Sequence, residues 1–291
     1  MALVSIKGIL NDAREKHYAV PAFDVSSYKM ARAVVDVAEK LRAPVILMGL
    51  TGDMTEEQFD HMSVDMHSIA VKATVPVCIH LDHAMDFDVI KKAIHQGYSS
   101  VMFDGSSLPL EENIAATKRV CDYAHMYGVS VEAELGHVGD GIVGKSESVA
   151  HGDQGHESTL TNADEMQRFI EETKVDCLAV SVGTSHGVYK CTPHLEFELL
   201  SKLNEVSAVP LVMHGGSGTP DDQMQEAIAK GISKVNIFSE ILEAYYGAMK
   251  EFLNSQTNLA LWTMTAEQSA VDALKTKIKE KYELLGAVNR V

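Results

Sequence analysis

Eight short β-branched runs alternate with amphipathic stretches along 291 residues. Together they predict an α/β fold, a (β/α)8 TIM barrel carrying an extra C-terminal helix. Two further observations support it: the runs are nearly continuously apolar, as parallel strands covered by helices are, and most of them begin after a Pro or a Gly. The first run is 19–23. Behind it Met30, Ala33, Val34, Val37, Ala38 and Leu41 fall at i, i+3, i+4, i+7, i+8 and i+11, one apolar helical stripe. Pro44 opens the second run and Pro76 the third, since the first position of a strand needs no ladder N–H. Gly97 ends a helical pattern before the fourth run, 99–103, and Gly128 does so before the fifth, 129–135. Residues 177–182 are the sixth run and 210–214 the seventh. Met224, Ala227 and Ile228 repeat the helical spacing ahead of Gly231, after which 234–238 is the eighth. Residues 265–286 read as the C-terminal helix, and 137–162, rich in Gly, Ser and His without a period, as a mobile active-site loop. No linker divides the chain, so 1–291 is expected to be one barrel domain. Counting alone also admits an open doubly wound sheet, although no G-x-G-x-x-G follows the first strand.

Composition narrows the function. Lys+Arg number 25 against 41 Asp+Glu, a formal charge of −16, and the basic residues are scattered. Nucleic acid and anionic membranes are therefore poor partners. No apolar run reaches the roughly 18 residues of a membrane span. The first residues carry charges and lack an apolar stretch of signal type, so a cytoplasmic location is expected. Cys78, Cys121, Cys177 and Cys191 show no close pairing and are expected to be reduced thiols rather than a zinc cage.

In a barrel, chemistry collects at the C-terminal strand ends. Those ends carry His80-Leu81-Asp82-His83, Asp104-Gly105-Ser106, Glu132-Ala133-Glu134, Gly183-Thr184-Ser185-His186-Gly187, His214-Gly215-Gly216-Ser217-Gly218 and Asn236-Ile237-Phe238-Ser239. His83, His186 and His214 are far apart in sequence, and only barrel closure would bring them together. Three neutral imidazoles with one open position describe a catalytic zinc site. Thirteen histidines in the chain also make chance placement an alternative for any one of them. Asp82 has two readings, a carboxylate that caps or orients, and a proton-transfer group. The Gly-rich turn after strand seven, with strand eight beside it, offers backbone N–H groups to a phosphate.

Taken together, HLDHA at 80–84, VMFDGS at 101–106, EAELG at 132–136, GTSHGVYK at 183–190, VMHGGSG at 212–218 and KVNIFSE at 234–240 resemble the class II, zinc-dependent ketose-bisphosphate aldolases. The likeness is to the tagatose- and fructose-bisphosphate branch and to related sugar-acid phosphate aldolases, and it spans essentially the whole chain. The resemblance implies His83, His186 and His214 as zinc ligands and Asp82 as the acid/base at the substrate's C4 hydroxyl. It implies Gly187, Gly215, Gly216, Ser217, Asn236, Ile237, Phe238 and Ser239 as a cradle for dihydroxyacetone phosphate. Asp104 and Glu134 match an alternative metal position, and a monovalent cation (Na+ or K+) and a homodimer or homotetramer are family features. The implied activity is reversible cleavage of a ketose phosphate to dihydroxyacetone phosphate and an aldehyde, with zinc stabilising the enediolate. A Schiff-base route would need a Lys at the rim; Lys234 is read as beginning strand eight, at the opposite end.

Departures bear on the substrate. The family's loop carboxylate has no clear counterpart, Asp140 and Glu147 being the two candidates. Asp24 stands where Asn is usual and Phe238 where Asp is frequent. Around Trp262 there is no Arg to grip a distal phosphate, so Trp262 either borders the distal pocket or simply packs the last helix. The expected substrate therefore ends without a second phosphate; the alternative is a fructose- or tagatose-bisphosphate aldolase proper. Two rivals are a zinc-hydroxide hydrolase and a non-catalytic aldolase-like subunit, the latter disfavoured by the presence of all three histidines and Asp82.

Overall fold

In the computed structural model, which describes residues 2–140, 159–187, 189 and 191–291, the eight runs form β1 (Val20–Asp24), β2 (Val45–Leu50), β3 (Val77–Ala84), β4 (Ser100–Phe103), β5 (Ser130–Leu135), β6 (Cys177–Val180), β7 (Leu211–Met213) and β8 (Ile232–Ile237). All pairings are parallel, and the order β1-β8-β7-β6-β5-β4-β3-β2 closes because β1 pairs with both β2 and β8. Closure excludes the open doubly wound sheet.

The helices follow the apolar stripes. They are α1 (Ile6–Glu15), α2 (Tyr28–Leu41), α3 (Glu56–Ala70), α4 (Phe87–His95), α5 (Leu110–Met126), α6 (Ala163–Thr173), α7 (Phe197–Val206), α8 (Asp221–Ala229), α9 (Ser239–Asn254) and α10 (Thr263–Leu284). In α2 the residues Met30, Ala33, Val34, Val37 and Ala38 are buried against the sheet. A fully buried Val of this kind contributes about 1.5 kcal/mol or more. Local caps start several helices: Ser27 accepts from Met30 N, and Thr55 and Gln58 form a reciprocal capping box. α1 precedes the barrel and lies across its N-terminal end, where Leu3 bridges to Val77 and Lys7 pairs with Asp176 at 3.0 Å.

The last helix begins two residues earlier than 265 and is tied down by Lys275–Asp36 and Lys281–Glu240 pairs, both 2.7 Å. Trp262 does not pack it. The side chain is 86 % exposed, because the extended backbone at the N-cap directs it outward. Cys78, Cys121 and Cys177 are buried free thiols and Cys191 is exposed. Among the described residues no helix is long and apolar enough to cross a membrane.

The barrel interior is not filled by branched apolar residues alone. Lys234 is the third residue of β8, not its first, and its Nζ lies 2.8 and 2.9 Å from the Glu132 carboxylate oxygens on β5. Since β6 and β7 separate those strands around the wall, the pair crosses the interior. His80 on β3 joins this layer; its Nδ1 is 2.8 Å from Ser100 Oγ and its Nε2 is 3.6 Å from Glu132. Burial, reinforced by Lys234, lowers His80 to about 4. The unfolded chain binds that proton near pH 6.5, so stability is complete above pH 6.5 and falls as the pH drops toward 4. In chelated protein, urea unfolding at pH 5 should show about 2 kcal/mol less stability from this group than at pH 7. His80→Gln should lack that part of the slope; an unchanged slope in the variant would show that His80 is not its source.

Candidate active site

The C-terminal rim gathers the polar residues into an open cavity lined by Asp24, Leu50, Asp82, His83, His186, Gly187, Gly215 to Ser217, Asn236, Phe238 and Ser239. Consecutive strand residues ordinarily point to opposite faces. Asp82 and His83 nevertheless both reach the cavity, because His83 adopts φ +44° and the β3–β4 register shifts between Leu81 and Ala84. A left-handed non-glycine backbone costs about 1–2 kcal/mol. His83 thus lies within β3 rather than beyond its end, while His214 follows β7 directly and His186 sits in a two-residue strand, Ser185–His186.

The three imidazoles converge. Their ring centroids lie 4.6 to 5.6 Å apart, and each offers a nitrogen within 4.8 Å of the others. His83, Asp104 and Glu134 form a second such group, sharing His83. Asp104 Oδ2 is 2.7 Å from His83 Nδ1, and its other oxygen accepts from Ser106. Burial opposes charge on Asp104, but His83 and Ser106 hold it well below the usual carboxylate range. His214 Nε2 is 3.1 Å from Glu132, and its Nδ1 is 2.9 Å from Glu134 without hydrogen-bond alignment. Burial opposes charge on this ring too, yet the two carboxylates raise it to about 10. A buried ring nitrogen facing two other imidazoles fits a cation of imidazole-preferring type.

Asp82 is 3 % exposed, accepts from Asn236 Nδ2 at 3.2 Å, and stands 3.9 Å from His83 Nε2. Burial would raise it, but His83, Lys234 and His214 keep it below the usual range, so it is ionised. Burial also disfavours charge on Lys234, but Glu132 holds the side chain as an ammonium ion. Such a lysine is a poor amine nucleophile.

The Gly-rich turn that follows His214 is shaped by close approach. Gly215 has φ +67°, and a Cβ there would meet Ser185 O at 2.2 Å; one at Gly216 would meet Asn236 O at 2.7 Å. Ser217 Oγ accepts from Phe238 N and Glu240 N, so it caps α9 while lining the cavity. Ile237 is fully buried in β8 and is not among the lining residues. Two residues without an assigned role in the sequence take part. Tyr189 donates to Gly215 O at 2.7 Å and accepts from Ser185 N, buttressing the turn. Glu132, in the middle of β5, reaches His214. Tyr189 had no signal beyond lying in the matched GTSHGVYK segment.

The base of the predicted loop is closed by His137 and Thr159, which exchange backbone hydrogen bonds of 2.9 and 3.0 Å. Gly139–Asp140 pairs in parallel with Ser185–His186, so the Asp140 backbone lies beside His186. Glu147, and with it most of the 137–162 segment, lies outside the described residues.

Residues 4–290 match the family model described as fructose-bisphosphate aldolase class-II. The crystal structure of the YdjI aldolase from Escherichia coli K12 is similar at 36 % identity and TM-score 0.86, over 98 % of each chain. The fructose-bisphosphate aldolase (Fba) from Campylobacter jejuni shares the fold at TM-score 0.82 and 22 % identity, over 100 % of this chain and 97 % of that one.

Proposed function

Because the chain belongs to the class-II fructose-bisphosphate aldolase family and is a lyase, an aldolase acting on sugar phosphates, we propose that it is a zinc enzyme cleaving a ketose phosphate to dihydroxyacetone phosphate and an aldehyde. The observation that carries the reading is the convergence of His83, His186 and His214 beside the Gly215–Ser217 turn, with ionised Asp82 lining the same cavity. The three histidines would hold the zinc, and Asp104 and Glu134 would offer the alternative position around His83. Zinc bound there would supply Lewis acidity for the negative charge that develops on the substrate's carbonyl oxygen.

Everything else falls to the chain's own residues. In the cleavage direction Asp82 takes the proton from the C4 hydroxyl as the C3–C4 bond breaks, and the aldehyde departs. A carboxylate of the 137–162 loop, Asp140 or Glu147, then returns a proton to C3. The phosphate is held by Ser217, Ser239 and backbone N–H groups around Gly187, Gly215, Gly216 and 236–239, with a monovalent cation beside it. The burial of Ile237 limits its part to the main chain. The protein is expected to work as a cytoplasmic homodimer or homotetramer.

The far end of the substrate is proposed to lack a phosphate. The described residues that line the cavity include no Lys or Arg, and so no cationic fork for a second phosphate. The test is proton exchange: zinc-loaded protein with dihydroxyacetone phosphate in D2O should lose the C3 proton signal, and chelated protein should not. Absence of exchange from zinc-bound protein, with and without aldehydes, would sink the aldolase reading. Efficient cleavage of fructose or tagatose bisphosphate would sink only the proposal about the far end.

A further inference from the structure

We propose that Glu132, locked by Lys234, is a positioning residue that fixes the His214 ring and so selects Nδ1 as the atom presented to the metal. The inference rests on the proposed assignment of His214 as a ligand. Four observations lead to it. Glu132, Lys234 and His214 are each fully buried, on or directly after three different strands. Both oxygens of Glu132 meet Lys234 Nζ, at 2.9 and 2.8 Å, and one of them is also 3.1 Å from His214 Nε2. That contact occupies Nε2 and leaves Nδ1, which lies 2.9 Å from Glu134 Oε2 without hydrogen-bond alignment, as the nitrogen open to a cation in the group of three histidines. Finally, a buried ion pair is a poor source of stability compared with apolar residues of the same volume, and barrel interiors are normally filled by such residues.

The physical logic is that an imidazole can rotate or flip and offer either nitrogen to a cation. A carboxylate beneath the ring removes one of the two choices by holding an N–H there. A lone carboxylate would itself be mobile and costly at this depth. Two hydrogen bonds to an ammonium group from β8 fix its plane and neutralise its charge, so the order of command runs from Lys234 to Glu132 to His214. Neither Glu132 nor Lys234 is among the residues lining the cavity, and Glu132 acts on the metal position through the ring.

Two charge-neutral double variants separate positioning from packing. Glu132→Leu with Lys234→Met removes the acceptor, while Glu132→Gln with Lys234→Met keeps an acceptor for Nε2–H without the charges. Zinc affinity is measured by chelator competition, the cobalt-substituted protein's visible spectrum reports ligand geometry, and thermal melting of the metal-free proteins reports packing. The leucine variant should bind zinc about 10- to 100-fold more weakly with an altered cobalt spectrum, and the glutamine variant should recover most of the affinity. Wild-type affinity in a folded leucine variant overturns the inference, as does equal loss in both variants. A nitrogen-15 correlation spectrum of zinc-loaded wild-type protein decides the matter without substitution: His214 should carry its proton on Nε2, and metallation at Nε2 overturns the inference. Failure of the wild-type protein to hold zinc at all would bring down the metal reading together with it.

Discussion

Asp82→Asn should lower kcat for cleavage by about 10²- to 10⁴-fold while leaving proton exchange at C3 of dihydroxyacetone phosphate nearly intact. The split follows from where the carboxylate stands. Asp82 lines the cavity between His83 and Asn236, whereas the carbon-bound proton is assigned to a separate carboxylate of the 137–162 loop. Only the C4 hydroxyl needs Asp82, and the exchange half-reaction has no C4. The substitution is close to isosteric, and an Asn at this position can still accept from Asn236 Nδ2, so the fold should survive. Zinc content should be unchanged, because Asp82 is not within the group of ligand atoms offered by the three histidines. Parallel collapse of cleavage and exchange would assign the carbon proton to Asp82 as well.

Much of this site is legible in the sequence, and the parts that are not share a cause. Residues at strand ends are legible because parallel strands in a barrel point their C-terminal ends one way. A list of polar residues at those ends therefore becomes a list of rim residues. His83, His186 and His214 emerge in that manner, and their proximity in space has only to follow from closure, as it does. What lies deeper is illegible. Glu132 sits inside a strand that is buried along its whole length, and nothing local says that its partner is Lys234, 102 residues away. Lys234 itself reads as the start of a strand because the pair before it, Ile232-Ser233, is less apolar than the run after it. The backbone twist at His83 is equally hidden, since it is the register shift against β4 that turns two successive side chains into one cavity. Trp262 illustrates the opposite case: of its two readings, packing on the last helix is removed by an N-cap side chain that stands in solvent.

His83→Ala should be the most damaging of the ligand substitutions, because His83 alone belongs to both groups of convergent donors. Loss of His186 or Glu134 leaves one complete group: His83, Asp104 and Glu134 in the first case, and the three histidines in the second. Loss of His83 leaves neither. The removal also strips Asp104 of its 2.7 Å partner, so a largely enclosed carboxylate keeps Ser106 but loses His83, a cost of about 1 kcal/mol or more that adds to the missing ligand. Zinc affinity in His83→Ala should therefore fall by more than about 100-fold, beyond the range typical of residues that merely orient a ligand. His186→Ala should retain weak, competable metal binding with little cleavage, and Glu134→Ala should retain tight binding. Metal content after dialysis against a graded series of chelators, measured beside cleavage rate, orders the three. Equal zinc affinity in His83→Ala and His186→Ala would remove the shared role of His83 and with it the second metal position.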